Sequence, residues 1–214
     1  MKLLLIPVVI IFLCSCNEKK DPAKEQDSNQ KTDPIIKDID TVKTITDTVS
    51  YSELTLEDKR EAFLNICLAE YNETGKKELG IRTLELGNPS YNSSLFMKKK
   101  STIKYGDVDG IYPVIKLFIY GYNTENECNA PYKRWLDCFE SECDKIKEGA
   151  EMKAIKMPPM YFIKNKGSII VLKYLCEHNE NDWDRVKANL NKVFKEKDAV
   201  ICEIGCGGPL SWIK

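Results

Sequence analysis

Polar and apolar positions divide the chain into three regimes. An unbroken apolar run from Leu3 to Leu13 comes first. Residues 17 to 50 follow, with no aromatic residue, no cysteine and no glycine; charges of both signs alternate there, and Pro22 and Pro34 interrupt any helix. From Tyr51 onward apolar residues recur at helical or strand spacing. Thr55 followed by Asp58 predicts an N-cap, and Phe63, Cys67 and Tyr71 at four-residue intervals, with Ile66 beside them, predict an amphipathic helix from Leu56 to Asn72 that stops near Gly75. Ile81 to Leu86 and Ser94 to Tyr105 read as strands. Val114 to Tyr120 is β-branched and aromatic, hence a buried strand. Asn129-Ala130-Pro131 reads as a helix start, continued by Tyr132, Trp135, Leu136, Phe139, Cys143 and Ile146 as far as Gly149. Met152 to Met157 is extended. Met160 to Lys164 and Ser168 to Tyr174 flank Asn165-Lys166-Gly167 as a β-hairpin. Asp182 caps a helix carrying Trp183, Val186, Leu190 and Phe194, and Ala199 to Ile204 forms a last strand.

These elements predict an α+β domain. From Ile111 the order is strand, helix, strand, strand, helix, strand, which resembles the split βαβ arrangement of ferredoxin-like folds, with an N-terminal helix and extra strands added. Residues 113 to 196 also resemble thioredoxin-like domains. Cys128-Asn129-Ala130-Pro131 falls where that family places its active cysteine, after a buried strand and near a helix start. The chain departs from the family in lacking the second cysteine of Cys-x-x-Cys and the helix that precedes its proline.

The first regime bears on location. Lys2 supplies a positive charge, Leu3 to Leu13 an apolar segment too short for the ~20 residues that cross a bilayer, and Ser15 a small residue before a cleavage point. Leu13-Cys14-Ser15-Cys16 resembles the lipobox of bacterial lipoproteins, which implies that Cys16 is acylated and becomes the first residue of the mature chain. Asn17 rather than Asp after it implies sorting to the outer membrane. The expected organisation is a signal peptide at 1–15, a lipidated cysteine and flexible tether at 16–50, and one domain at 51–214. The tether's composition buries too little apolar surface to offset the entropy of ordering it.

Charge narrows the partners. A formal net charge of −1 gives no electrostatic basis for nucleic acid, and four arginines (Arg60, Arg82, Arg134, Arg185) supply few forked contacts. Lys98-Lys99-Lys100 reads as a solvated strand face. Asp107-Val108-Asp109-Gly110 lacks the later ligands of a calcium loop and reads as a tight turn. Glu140-Ser141-Glu142-Cys143-Asp144 reads as a solvated helix face. Tyr120, Tyr122, Tyr132 and Trp135 are at core spacing, with a pocket as the alternative. His178 is the single histidine and sits in a polar turn, so no triad is expected around it. No catalytic motif and no cofactor site is expected.

Cysteine is the remaining chemistry. With Cys14 in the leader and Cys16 lipidated, seven remain. Cys67 lies on an apolar helical stripe and is expected as a buried free thiol. Cys128, Cys138, Cys143, Cys176, Cys202 and Cys206 are disulfide candidates in an exported chain. Cys143, Cys176 and Cys206 fall at one end of the ferredoxin-like sheet, which favours a bridge within that trio. Cys138 and Cys143 on one helix would point about 140° apart, against a bond between them. Gly205-Cys206-Gly207-Gly208-Pro209 reads as a strand-ending loop fixed by a disulfide. Cys176-Glu177-His178 with Cys202 and Cys206 offers a weaker soft-metal alternative, without a Cys-x-x-Cys pair.

The sequence therefore points to a membrane-anchored envelope lipoprotein, facing the periplasm or the cell surface, that binds a protein or small ligand without catalysis. The alternatives are a thiol-dependent enzyme centred on Cys128 and a soft-metal-binding lipoprotein.

Overall fold

The computed structural model describes residues 50–75, 87–138, 145–152, 158–176 and 180–213, all within the unit Ile45–Lys214. The expected leader, lipobox-like ending and tether to residue 49, the expected strand 81–86, most of the extended segment 152–157, the carboxylates of 140–144, Cys143 and His178 lie outside the described residues.

A short 3-10 turn, Tyr51–Glu53, leads into α1, Leu56–Cys67. The expected cap is present: the Thr55 hydroxyl accepts a hydrogen bond from the Asp58 amide at 3.1 Å. The helix ends five residues before the expected Asn72, because Tyr71–Glu73 is strand β1, pairing with β2, Tyr91–Lys99. Tyr71 still packs with Phe63 and Cys67, which explains the misleading four-residue spacing. Lys100 Nζ donates to the Leu68 carbonyl at 2.6 Å, satisfying a group left open past the helix end. Lys99 pairs with Asp182, so only part of the lysine run behaves as a solvated face.

The expected long strand 94–105 is broken. After β2 the chain forms a separate hairpin of β3, Ile103–Tyr105, and β4, Val108–Ile111, turning at Gly106 with φ +58°. The Asp107 segment is thus the tight turn expected and the start of a strand. β5, Val114–Gly121, is the strand expected there.

Helix α2, Glu125–Asp137, begins before the expected Asn129. Thr124 caps it by accepting from the Glu127 amide at 3.2 Å, and the Glu127 carboxylate accepts from the Asn123 amide at 3.1 Å. This reciprocal Thr-x-x-Glu pattern outweighs the proline signal. Pro131 lies inside the helix and leaves the Glu127 carbonyl without its i+4 donor.

β6, Met160–Lys164, and β7, Ser168–Lys173, form the expected hairpin. α3, Glu180–Phe194, starts before Asp182, which is therefore not its cap. β8, Val200–Ile204, is followed by an unexpected β9, Leu210–Ile213, which returns along β8.

The main sheet has seven strands in the order β1-β2-β5-β7-β6-β8-β9, every pair antiparallel. Two split βαβ units are present: β5-α2-β6 encloses β7, and β7-α3-β8 encloses β6. Both units step the same way across the sheet from strands of opposite direction. Right-handed crossovers then put their helices on opposite faces. The packing agrees, with Cys128, Tyr132 and Trp135 of α2 on one face and α1 and α3 on the other. The ferredoxin-like arrangement would place both helices on one face and the last strand beside the first. Here β2 occupies that edge of β5, from Tyr91↔Gly121 to Lys98↔Val114, so β8 pairs with β6 instead. The all-antiparallel sheet likewise departs from the thioredoxin-like alternative, whose sheet has parallel neighbours.

Strand alternation feeds two cores. Leu95, Ile115, Leu117, Ile119, Ile170 and Leu172 meet α1 and α3; Phe96, Phe118, Tyr120, Phe162 and Val171 lie on the α2 face. The four aromatics considered for a pocket belong to the second core, where Trp135 stacks on Phe162 with centroids 4.4 Å apart.

One buried polar side chain ties the parts together. Asn165, 1% exposed, opens the β6–β7 turn. Its Nδ2 donates to Ser168 Oγ at 3.0 Å and to the Phe194 carbonyl at 2.9 Å, and its Oδ1 accepts from the Glu196 amide at 3.2 Å. Its backbone carbonyl accepts from Cys128 Sγ at 3.7 Å. The turn, the end of α3 and the first turn of α2 meet there. Asn165→Ala should lower unfolding free energy by about 2–4 kcal/mol, because two buried groups and one half-buried amide lose partners at ~1–3 kcal/mol each with partial relaxation. Urea denaturation measures this; a loss under 1 kcal/mol would show that the network is dispensable.

Candidate functional site

The cysteines separate into two classes. Cys176 and Cys206 form a disulfide, one of the pairings open within the expected trio. Cys138 is also disulfide-bonded. It is the C-cap of α2 with φ −137° and ψ 78°, so the helix expected to run on to Gly149 ends at Asp137. Cys67 is a buried free thiol, as its apolar stripe suggests.

Cys128 and Cys202 are free thiols, not the disulfide partners expected. Both lie in the α2-side core. Cys202 pairs across the sheet with Phe162, whereas the Cys128 sulfur reaches the carbonyl of Asn165, just past the end of β6 and three residues from Phe162, so about 10 Å away. That separation exceeds what a disulfide spans. Cys128 does occupy the first turn of α2, a position that can activate a thiol. Burial wins: it pushes the Cys128 pKa up from 9.0 to about 11, Lys164 lowers it, and Glu125 and Glu196 raise it further. Burial and Glu70 push Cys67 up to about 12, and burial raises Cys202 as well. Oxidised Cys176 and Cys206 offer no thiolate for a metal. Among the described residues no group of three or more His, Cys, Asp or Glu is placed to hold one.

The residues that form a site are others. Glu203 falls in β8 between Cys202 and Ile204, which face α2, so it projects toward α3. On α3, Trp183, Asp184 and Lys187 sit within one turn and a residue of each other, facing it. Trp183 Nε1 donates to Glu203 Oε1 at 2.8 Å. Lys187 Nζ donates to Glu203 Oε1 at 3.0 Å and Oε2 at 2.9 Å, and to Asp184 Oδ1 at 2.9 Å. Both side chains of the Lys187–Glu203 pair are largely buried, at 18% and 17% exposure. Burial opposes the Lys187 ammonium, but the hydrogen bonds to Asp184 and Glu203 outweigh it and its pKa is raised. Lys187 is therefore held as an ammonium between the Asp184 and Glu203 carboxylates.

Tyr174, just past β7, stacks on Trp183 with centroids 3.6 Å apart. Burial, then Glu203 and Asp184, raise the Tyr174 pKa to about 12. Tyr105, 50% exposed, comes across from β3, and the Cys176–Cys206 bond with Gly205 completes the wall. Together these residues line a cleft of about 530 Å³. Beside it, Asp182 holds Lys99 and accepts from Arg185 at 2.7 Å, and Arg185 also reaches Glu70 at 2.6 Å, fixing α3 to β2 and the end of α1. Burial opposes the Asp182 carboxylate, but Lys99 and Arg185 hold its pKa below the ordinary value.

Sequence reasoning placed Trp183 on an apolar face and singled out neither Lys187, Glu203, Tyr174 nor Tyr105. One signal was available: Glu203 is a charge within an otherwise apolar strand, on the face that Ile201 buries. No protein family, curated protein or solved structure matches the chain.

The free thiols give a pH test. A raised pKa means that folding favours the protonated Cys128. That contribution is complete below about pH 9 and lost as pH rises through 11. Iodoacetamide should therefore leave Cys128 unlabelled in the native protein at pH 7 to 9 and label it quickly after unfolding. Labelling of native Cys128 within minutes at pH 7 would contradict its burial.

Proposed function

We propose that the chain is an envelope lipoprotein, anchored in the outer membrane through Cys16, whose α+β domain binds a ligand in the cleft between α3 and the β8–β9 loop. The cleft carries the reading. It combines a concave wall of aromatic rings with polar groups held in fixed geometry, the combination that small-ligand sites use. Two carboxylates, Asp184 and Glu203, line it against one ammonium, Lys187, so the lining carries a formal excess of one negative charge. That balance favours a cationic or neutral polar ligand over an anion. Asp184, with 69% of its side chain exposed, is the carboxylate presented at the mouth.

Binding is favoured over thiol catalysis because Cys67, Cys128 and Cys202 are buried and held protonated by that burial. Among the described residues no helix is long and apolar enough to cross a membrane. Attachment is assigned to the lipobox-like ending at Cys16, where acyl chains add ~0.8 kcal/mol per buried CH₂.

Two outcomes are expected. Cys16→Ala should leave the precursor uncleaved or release the domain from membranes on fractionation; processing and partitioning like the parent would reject the anchor. A thermal-shift panel of primary amines, basic amino acids and neutral sugars should include a compound that raises the melting temperature by about 2–4 °C. Asp184→Asn and Glu203→Gln should each weaken that shift. A shift unchanged in both variants would place the ligand elsewhere, and no shift across the panel would count against the cleft.

A further inference from the structure

We propose that the Cys176–Cys206 disulfide is a redox switch for the cleft: thiol reduction releases the Tyr174–Cys176 side and loosens the Tyr174–Trp183 wall. Its meaning as regulation rests on the binding reading above. The disulfide differs from a plain staple in three respects. It is part of the cleft wall itself. Cys206 is exposed and Cys176 half-buried, whereas the free thiols Cys67, Cys128 and Cys202 are buried. The two segments it joins also depend on it unequally.

The loop carrying Cys206 holds itself. Gly205 N–H donates to the Pro209 carbonyl at 2.9 Å, and Gly208 N–H to the Gly205 carbonyl at 3.0 Å. β8 and β9 pair on either side, from Ile204↔Leu210 outward. Glycines at 207 and 208, with φ +81° and +93°, fit that turn without strain. Among the described residues, the segment carrying Cys176 is held by packing and not by strand pairing: Tyr174 is buried in the core on the α1 and α3 face. β7 ends at Lys173, and beyond it the Tyr174 amide makes a long bond of 3.4 Å to the Pro159 carbonyl. Leu175 is 43% exposed. With the bond cut, the β8–β9 loop stays in place and the Tyr174–Cys176 side moves, taking with it the ring that stacks on Trp183.

The chemistry is thiol–disulfide exchange with a dithiol reductant. One thiolate of the reductant attacks the exposed Cys206 Sγ. A mixed disulfide forms, the Sγ–Sγ bond breaks, and Cys176 leaves as a thiolate that takes a proton from water. The reductant's second thiolate attacks its own sulfur in the mixed disulfide and expels Cys206, which is protonated in turn. The protein gains two electrons and two protons, and the dithiol becomes a cyclic disulfide.

The test uses the full chain under native conditions. Dithiothreitol followed by alkylation should label Cys176 and Cys206 while Cys67, Cys128 and Cys202 stay unlabelled. Hydrogen exchange of the reduced protein should accelerate about tenfold or more at Tyr174 and at Asp184 to Lys187, with β5, β6 and β7 unchanged. The Cys176→Ser/Cys206→Ser variant should exchange like the reduced protein at Tyr174 and at Asp184 to Lys187, with or without reductant, although its Cys138 bond remains reducible. The switch is overturned if dithiothreitol reaches the bond only after unfolding, or if oxidised and reduced proteins exchange alike. It is equally overturned if protection is lost throughout β5 to β7, the mark of a fold staple. None of these readouts needs a ligand. A thermal-shift panel that finds nothing rejects the binding reading alone, and a ligand shift that survives reduction unchanged rejects the switch alone.

Discussion

Burial of the central strands on both faces is the constraint from which the rest of the architecture follows. β5, β7 and β6 present apolar side chains alternately up and down, with Ile115, Leu117, Ile119, Phe118, Ile170, Val171 and Phe162 almost wholly removed from water. At roughly 25 cal/mol per Å² of apolar surface, leaving either face open would forfeit much of the stability of a domain this size. Cover is therefore needed on both sides. α2 supplies it on one face, and α1 and α3 on the other. The opposite placement of the two crossover helices is how a short chain meets that need.

Against this apolar background two polar clusters stand out, with different chemistry. At Asn165 every side-chain donor and acceptor is used by a fixed neighbour, so the cluster is closed and specifies how the turn, α2 and α3 meet. At Glu203 the cluster opens on a cleft. Its inner side is satisfied by Trp183 and Lys187, while Asp184 continues the charge toward solvent. A charged pair in such a position adds little net stability over an apolar pair of the same volume. On the binding reading proposed above, its value lies in fixing groups where a ligand can meet them.

Much of the fold was legible because periodicity is a local signal. The β5 strand, the β6–β7 hairpin and the apolar face of α3 follow from residue spacing alone. The errors were of two kinds. Competing local signals misled at Pro131, where Thr124 and Glu127 set the helix start, and at Tyr71, whose spacing fits a helix while its backbone joins a strand. Non-local choices were beyond periodicity: which strand takes the free edge of β5 is decided by β2, and that decision reverses the ferredoxin-like order. The site suffered similarly. Trp183 and Glu203 are 20 residues apart in sequence and meet only because α3 crosses over β6 to β8. The cysteines were read by compartment, which predicts pairing in general and says nothing of which thiols the core will sequester.

That sequestration has a consequence for how the chain acquires its bonds. Cys67, Cys128 and Cys202 are enclosed by packing, while Cys176 and Cys206 meet at the surface. An oxidant that arrives before collapse sees these five, and Cys138 with them, as equivalent and can join any two. One that arrives after collapse finds this pair already aligned and the other three out of reach. The apolar core thus acts as an editor of connectivity, and the order of packing and oxidation decides whether this part of the chain ends in one covalent isomer or in many.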